Sequence, residues 1–164
     1  MRILIATAGV LAPEAVAEII GRLGGAGGEV QVVTVIEVPR SFLEEIRSDE
    51  WHPLSESSST WSTAEDAVIA RYVEERGTRL TEPLVAALRV RGVEAVVRYL
   101  EGEDPAATIV AAAEELGADI IVMGATKQLF AEDHWESVSA RVIREGRRPV
   151  LIVPSAAQAA EELP

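Results

Sequence analysis

The residues best suited to chemistry in this chain lie in two stretches near its carboxyl end. Gly124, Thr126 and Lys127 follow a short apolar run, and Ser137 and Ser139 open the next helical pattern. Glycine lets backbone N–H groups approach phosphate oxygens, and hydroxyl and ammonium groups can donate hydrogen bonds to them. The amino end of a helix also favours negative charge. These residues are therefore candidates for holding a phosphate, with a solvated surface lysine as the alternative explanation of Lys127.

Other catalytic chemistry finds little support in the sequence. The chain has no cysteine, which excludes disulfides, thiolate metal sites and cysteine nucleophiles. Its two histidines, His52 and His134, have no set of partners at metal-ligand spacing. The serines between positions 55 and 62 belong to no Gly-x-Ser-x-Gly turn, so a Ser-rich linker explains them better than a nucleophile does. We therefore expect neither a catalytic residue nor a bound metal.

Five short apolar runs alternate with helical patterns, and these elements must position the candidate residues. The runs predict strands at 3–7, 30–38, 93–100, 118–123 and 149–153. Between them, helices are predicted from Pro13, from a capping box at Ser62 and Glu65, from the N-cap Asp104, and from near Glu136. Pro83 is a position where the second helix could kink or split.

This alternation predicts an α/β fold. We expect a doubly wound, five-stranded parallel sheet of Rossmann-like type, with strand order 3-2-1-4-5 and helices on both faces. Ligands of such sheets bind beyond the carboxyl ends of the strands, so the loops after strands one, two and four are the ones to inspect. The glycine-rich stretch 24–28 follows a helix and precedes a strand, which predicts a turn at the opposite edge.

The length and composition predict one domain. We expect it to span residues 1–154, with a long irregular loop at 39–62 and a flexible tail at 155–164. The formal net charge of −12 disfavours nucleic acid and anionic lipid surfaces as partners. No apolar run approaches the length of a membrane span, and the amino-terminal run is too short for a signal peptide. A cytoplasmic protein is expected.

An ordered set of segments resembles the universal stress protein family. The segments are 3–7, 102–106, 115–124, 137–139 and 148–153, and the likeness covers nearly the whole chain apart from the 39–62 loop. The resemblance implies a stress-response protein. In nucleotide-binding members, the turn after strand one carries an aspartate followed by glycine and serine. The loop after strand four carries Gly-x2-Gly-x9-Gly-Ser/Thr, which wraps the ribose and the phosphates.

This chain departs from those motifs at most positions. Ala8 stands at the aspartate position, and Gly9 is kept while Val10 replaces the serine. Gly124 is kept, but Lys127 and Glu136 occupy the second and third glycine positions. A carboxylate where phosphates should approach is unfavourable, and each lost hydrogen-bond anchor costs about 1–3 kcal/mol. The resemblance therefore implies a degenerate nucleotide site, whose candidate residues are Ala8, Gly9, Gly124, Thr126, Lys127, Ser137 and Ser139.

Two functions follow from these observations. The first is a non-enzymatic stress-response or regulatory module that acts through protein contacts, without a cofactor and without tight ATP binding. The alternative is an adenine-nucleotide sensor that binds ATP or AMP, with Mg²⁺ if ATP, through Lys127 and the two serines. Members of the family commonly dimerise through the last strand, so the apolar strand at 149–153 implies a homodimer. The sequence does not identify the protein partner.

Overall fold

A computed structural model of the chain describes residues 1–24, 27–38, 44, 58–125 and 137–155, with the backbone alone for 58–65. Five strands form one parallel sheet in the order β3-β2-β1-β4-β5. The strands are β1 (Arg2–Ala6), β2 (Glu29–Ile36), β3 (Ala95–Glu101), β4 (Ile120–Gly124) and β5 (Val150–Val153). The predicted fold class and strand order are confirmed.

Four helices connect the strands within the described residues. They are α1 (Pro13–Gly24), α2 (Ser58–Val90), α3 (Pro105–Glu115) and α4 (Val138–Glu145). The predicted cap of α3 is present, because the Asp104 carboxylate accepts a hydrogen bond from the Ala107 N–H at 3.2 Å. Gly117 follows Leu116, the C-cap of this helix, and has a φ of +61°, a conformation that favours glycine.

The sheet is buried on both faces, which is why its strands are apolar at nearly every position. Ile3 and Ile5 of β1 point into one core with α1 and the second half of α2, while Leu4 and Ala6 point into another with α3 and α4. Helices therefore cover both faces, as the doubly wound arrangement requires. On α1, Val16 and Ile20 are buried against the sheet, whereas the side chain of Leu23 is exposed.

The start of α2 differs from the prediction. The helix begins at Ser58, so Ser62 lies inside it rather than at its N-cap, and residues 58–62 are helical rather than part of an irregular loop. Pro83 lies within this helix and does not divide it into two elements. The remainder of the predicted 39–62 loop, apart from residue 44, lies outside the described residues, as do the tail at 156–164 and both histidines.

The two edges of the sheet differ in what they offer a ligand. Gly28 directly precedes β2, so the described part of the glycine-rich stretch lies at the amino ends of the strands. The carboxyl ends of β1, β2 and β4 converge at the opposite edge, where the strand order reverses between β1 and β4. The candidate site lies at this second edge.

Candidate functional site

A cavity of about 190 Å³ lies at the carboxyl edge of the sheet, between the ends of β1, β2 and β4 and the amino ends of α3 and α4. The described part of its wall is almost entirely apolar, and none of the described residues that line it carries a charge. The volume is below the roughly 300–1,000 Å³ typical of ligand pockets. The lining residues are Ala6, Thr7, Ala8, Val10, Leu11, Val33, Val35, Pro105, Ile109, Met123, Gly124, Ala125 and Val138.

The turn after β1 is held by the residue that follows the strand. Thr7 donates its backbone N–H to the Val33 carbonyl at 3.0 Å, and its hydroxyl oxygen accepts from the Gly9 N–H at 3.0 Å. Gly9 has a φ of +80°, and a Cβ there would come within 2.9 Å of the Leu80 side chain. The fold itself thus requires glycine at position 9, whether or not a ligand is present.

Gly124, at the end of β4, is also approached by the chain's own side chains. A Cβ at this position would lie 3.1 Å from Leu11 Cδ2, and Leu11 is itself buried in the wall of the cavity. Leu11 is fixed from the other side by an antiparallel bridge to Ser155. A leucine therefore occupies the space beside the glycine that a ligand could otherwise approach.

At the amino end of α4, the polar groups of Ser137 and Ser139 form hydrogen bonds within the helix end itself. The Ser137 hydroxyl is the N-cap and accepts from the Ala140 N–H at 3.2 Å, while the Ser137 carbonyl accepts from the Arg141 N–H at 3.0 Å. The Ser137 and Ser139 hydroxyl oxygens lie 3.1 Å apart, and Ser139 is buried. These two serines satisfy each other and the helix end, which leaves fewer donors for a phosphate.

The guanidinium of Arg141, in the first turns of α4, is engaged by carboxylates. Both guanidinium nitrogens Nη1 and Nη2 of Arg141 lie 2.8 Å from the two carboxylate oxygens of Asp104. Arg141 Nε also donates to Glu145 at 3.1 Å. The hydrogen bonds from Arg141 lower the pKa of Asp104 and the pKa of Glu145, and they raise the pKa of Arg141. A guanidinium with two carboxylate partners is poorly placed to bind an anion.

A second, more open hollow of about 440 Å³ adjoins the cavity. It shares Ala8, Val35 and Pro105 with the cavity wall, and its rim carries Glu37 and Arg76. Both of these side chains are exposed, and their charges are opposite. The hollow therefore offers no net positive field to a phosphate.

The predicted site residues have three different positions. Ala8 and Gly124 line the cavity, and Gly9 shapes the turn beside them without lining it. Ser137 and Ser139 flank Val138, which does line it, but the serines themselves do not. Thr126 and Lys127 lie outside the described residues, as does Glu136.

Several residues of this site were not predicted from the sequence. Thr7, Val35 and Ile109 line the cavity, and Arg141 pairs with the N-cap of α3. The topology offered a signal for the first two, since both lie at the carboxyl ends of β1 and β2, the edge where ligands of such sheets bind. No local signal marks the pairing of Arg141 with Asp104, because the two residues are 37 positions apart.

A five-stranded parallel sheet with a cavity at the point where strand order reverses defines a doubly wound, Rossmann-like α/β domain. The model of the universal stress protein family matches residues 1–154, and the chain belongs to this family. No curated protein sequence matches it. Among the described residues, no helix is both long enough and apolar enough to cross a bilayer.

Solved structures with the same fold include nucleotide complexes. The hypothetical protein MJ0577 is 25% identical with a TM-score of 0.63, over 93% of this chain and 94% of that one. An Arabidopsis thaliana universal stress protein family protein with AMP bound is 15% identical with a TM-score of 0.56, over 97% of this chain and 94% of that one. The Archaeoglobus fulgidus universal stress protein in complex with dAMP is 23% identical with a TM-score of 0.50, over 93% and 96% respectively.

Proposed function

We propose that this universal stress protein is a non-enzymatic stress-response module that acts through protein contacts and does not hold ATP tightly. The observation that carries the proposal is the cavity at the carboxyl edge of the sheet, where none of the lining residues that the structure describes has a charged side chain. A triphosphate needs several donors or cations, and moving it from water without them is costly.

The surroundings of the cavity support the same proposal. The Arg141 guanidinium is engaged by two carboxylates, and the Ser137 hydroxyl caps its own helix. Ala8 supplies no carboxylate to hold the polar groups of a nucleoside. Each of these groups would have to give up a partner, or be replaced, before it could contribute to nucleotide binding.

The proposed module acts as a homodimer in the cytoplasm. β5 is an edge strand that pairs with β4 on one side, and Ile152 on it is partly exposed. An apolar edge strand invites pairing with a second strand, here the same strand of another copy. Fractionation of cells that express the protein tests the location, and a membrane-bound pool that resists washing with salt would contradict it.

The second candidate function is an adenine-nucleotide sensor. It is favoured by the AMP and dAMP complexes of the Arabidopsis thaliana and Archaeoglobus fulgidus proteins. A compact apolar cavity at the switch point is also a suitable place for a base. In this function Lys127 would supply the charge that contacts a phosphate, and any ATP would carry Mg²⁺.

A calorimetric titration separates the two functions. We expect ATP and AMP, each with and without Mg²⁺, to give no saturable heat with a Kd below about 1 mM, because the cavity lining within the described ranges has no cationic side chain. Saturable binding in the micromolar range that is weakened at least tenfold in Lys127→Ala would establish the sensor instead. Arg79→Ala is the control, because Arg79 is exposed on α2 and lines neither the cavity nor the adjoining hollow.

A further inference from the structure

The cavity has the size and lining of a binding site for a small uncharged molecule. Its volume of about 190 Å³ exceeds the roughly 150 Å³ of an apolar cavity that binds benzene. The described wall combines the ends of three strands, the amino ends of two helices, the turn after β1 and Ala125. A benzene ring with a short substituent matches this volume.

Charge excludes the usual anionic ligands from this space. None of the described residues that line the cavity is charged, and burying an ion without a partner is strongly unfavourable. The nearest charged groups in the adjoining hollow are Glu37 and Arg76, which oppose each other in sign. The net charge of −12 further disfavours anions at long range.

One polar group in the wall adds specificity. Thr7 is 7% exposed and lines the cavity, and its hydroxyl oxygen accepts a hydrogen bond from the Gly9 N–H. The hydrogen of that hydroxyl has no acceptor among the described residues. A buried donor without an acceptor costs free energy, and a ligand acceptor placed beside it would recover that cost.

We propose that the cavity binds a small uncharged ligand with a compact apolar body and a single hydrogen-bond acceptor, and that Thr7 donates to this acceptor. Ketones, aldehydes and ethers of aromatic or branched aliphatic type belong to this class. This inference goes beyond the proposed function and does not depend on it, since neither the dimer nor the absence of ATP binding requires a ligand here.

The test uses three probes of similar size: acetophenone, ethylbenzene and benzoate. Amide chemical shifts of the protein are followed by NMR during each titration. We expect saturable shifts for acetophenone with a Kd of about 1 mM or tighter, a value that ligand efficiency allows for so small a molecule. These shifts should concentrate at residues 6–11 and 123–125, and benzoate should bind at least about tenfold more weakly.

Variants assign the binding to the cavity. Val35→Phe fills the space and should abolish binding of both acetophenone and ethylbenzene, whereas Val96→Phe, on an exposed position of β3 outside the cavity, should not. Thr7→Val should weaken acetophenone about fivefold and leave ethylbenzene within about twofold. Thr7→Ser keeps the hydroxyl, so its affinity for acetophenone should stay close to that of the wild type. Thr34→Val removes a buried hydroxyl outside the cavity wall and should change neither affinity.

Two results would overturn the proposal. One is the absence of saturable shifts for both neutral probes, and the other is binding that survives Val35→Phe. If Thr7→Val weakened the binding of acetophenone and of ethylbenzene equally, the hydrogen bond assigned to the Thr7 hydroxyl would be contradicted. These failures leave the proposed function intact, because that function fails only on micromolar nucleotide binding or on loss of the dimer.

Discussion

The Arg141 guanidinium of α4 donates two hydrogen bonds of 2.8 Å to the carboxylate of Asp104, which is the N-cap of α3. The same carboxylate accepts the Ala107 N–H, so one side chain both starts a helix and ties it to the next one. Pro105 and Val138, which line the cavity, lie next to these two helix starts. The ion pair therefore fixes two walls of the candidate site relative to each other.

This relationship predicts a pH dependence of stability. Arg141 lowers the pKa of Asp104 and of Glu145 in the folded state, so the folded protein binds their protons less readily than the unfolded chain does. Their stabilising contribution is complete above the ordinary carboxyl pKa values near 4 and is lost as pH falls through the lowered folded values.

The measurement is the melting temperature of the wild type and of Arg141→Leu at several pH values between about 7 and 3. We expect the variant to melt at a lower temperature at neutral pH, with the difference shrinking as the carboxylates become protonated. Arg71→Leu is the control, because it removes an exposed pair with Glu75 that lies within one helix. A difference that stays constant down to pH 3 would contradict the assigned pKa directions.

A second prediction concerns the packing of α2 on β3. A Cβ at Gly77 would clash with the ring of Tyr99, although Gly77 is in the middle of a helix. Alanine normally stabilises a helix interior relative to glycine, but here the ring would have to move. We expect Gly77→Ala to lower the free energy of unfolding by about 1–3 kcal/mol in urea denaturation.

The matched control for this substitution is Gly21→Ala. Gly21 is exposed inside α1, and a Cβ there meets no atom within 4 Å. Gly21→Ala should therefore raise the free energy of unfolding by about 0.5–1 kcal/mol. Equal effects of the two substitutions would show that Tyr99 does not constrain position 77.

A third prediction tests the homodimer proposed through β5. Ile152→Arg places like charges on the edge strand, close to each other if two copies pair there. Native mass spectrometry should report a dimer for the wild type and a monomer for the variant. Val96→Arg changes an exposed residue of β3 at the other edge and should leave the dimer intact. If the dimer persists in Ile152→Arg and is lost in Val96→Arg, the interface lies at the β3 edge and the proposal for β5 is wrong.

The fold could be predicted from the sequence because its signals are local. Apolar runs marked all five strands, and Asp104 followed by Pro105 marked the start of α3. The strand ends moved by one or two residues, as at β3, which begins at Ala95. The N-cap of α2 was predicted at Ser62, so the helix was expected to begin five residues after its observed first residue, Ser58. The reason is that the Ser-rich segment before Ser62 has the composition of a loop.

The candidate site was only partly predictable, because its character depends on tertiary contacts. The motif positions Ala8 and Gly124 could be named from the sequence, and both line the cavity. That Leu11 lies beside Gly124 depends on the path of the turn after β1. That Arg141 is engaged by Asp104 depends on how α3 and α4 pack. Neither contact leaves a pattern in the sequence.

We propose that this fold retains its cavity but lacks the groups that would hold a nucleotide. The most direct test titrates ATP and AMP into the wild type and into the triple variant Ala8→Asp, Val10→Ser, Glu136→Gly by calorimetry. We predict no saturable binding by the wild type up to about 1 mM nucleotide, and saturable binding by the variant with a Kd of about 0.1 mM or tighter, because the variant gains the carboxylate of Asp at position 8 and loses the carboxylate of Glu136. Micromolar binding by the wild type that is unchanged or weakened in the triple variant would contradict the proposed loss of the nucleotide site.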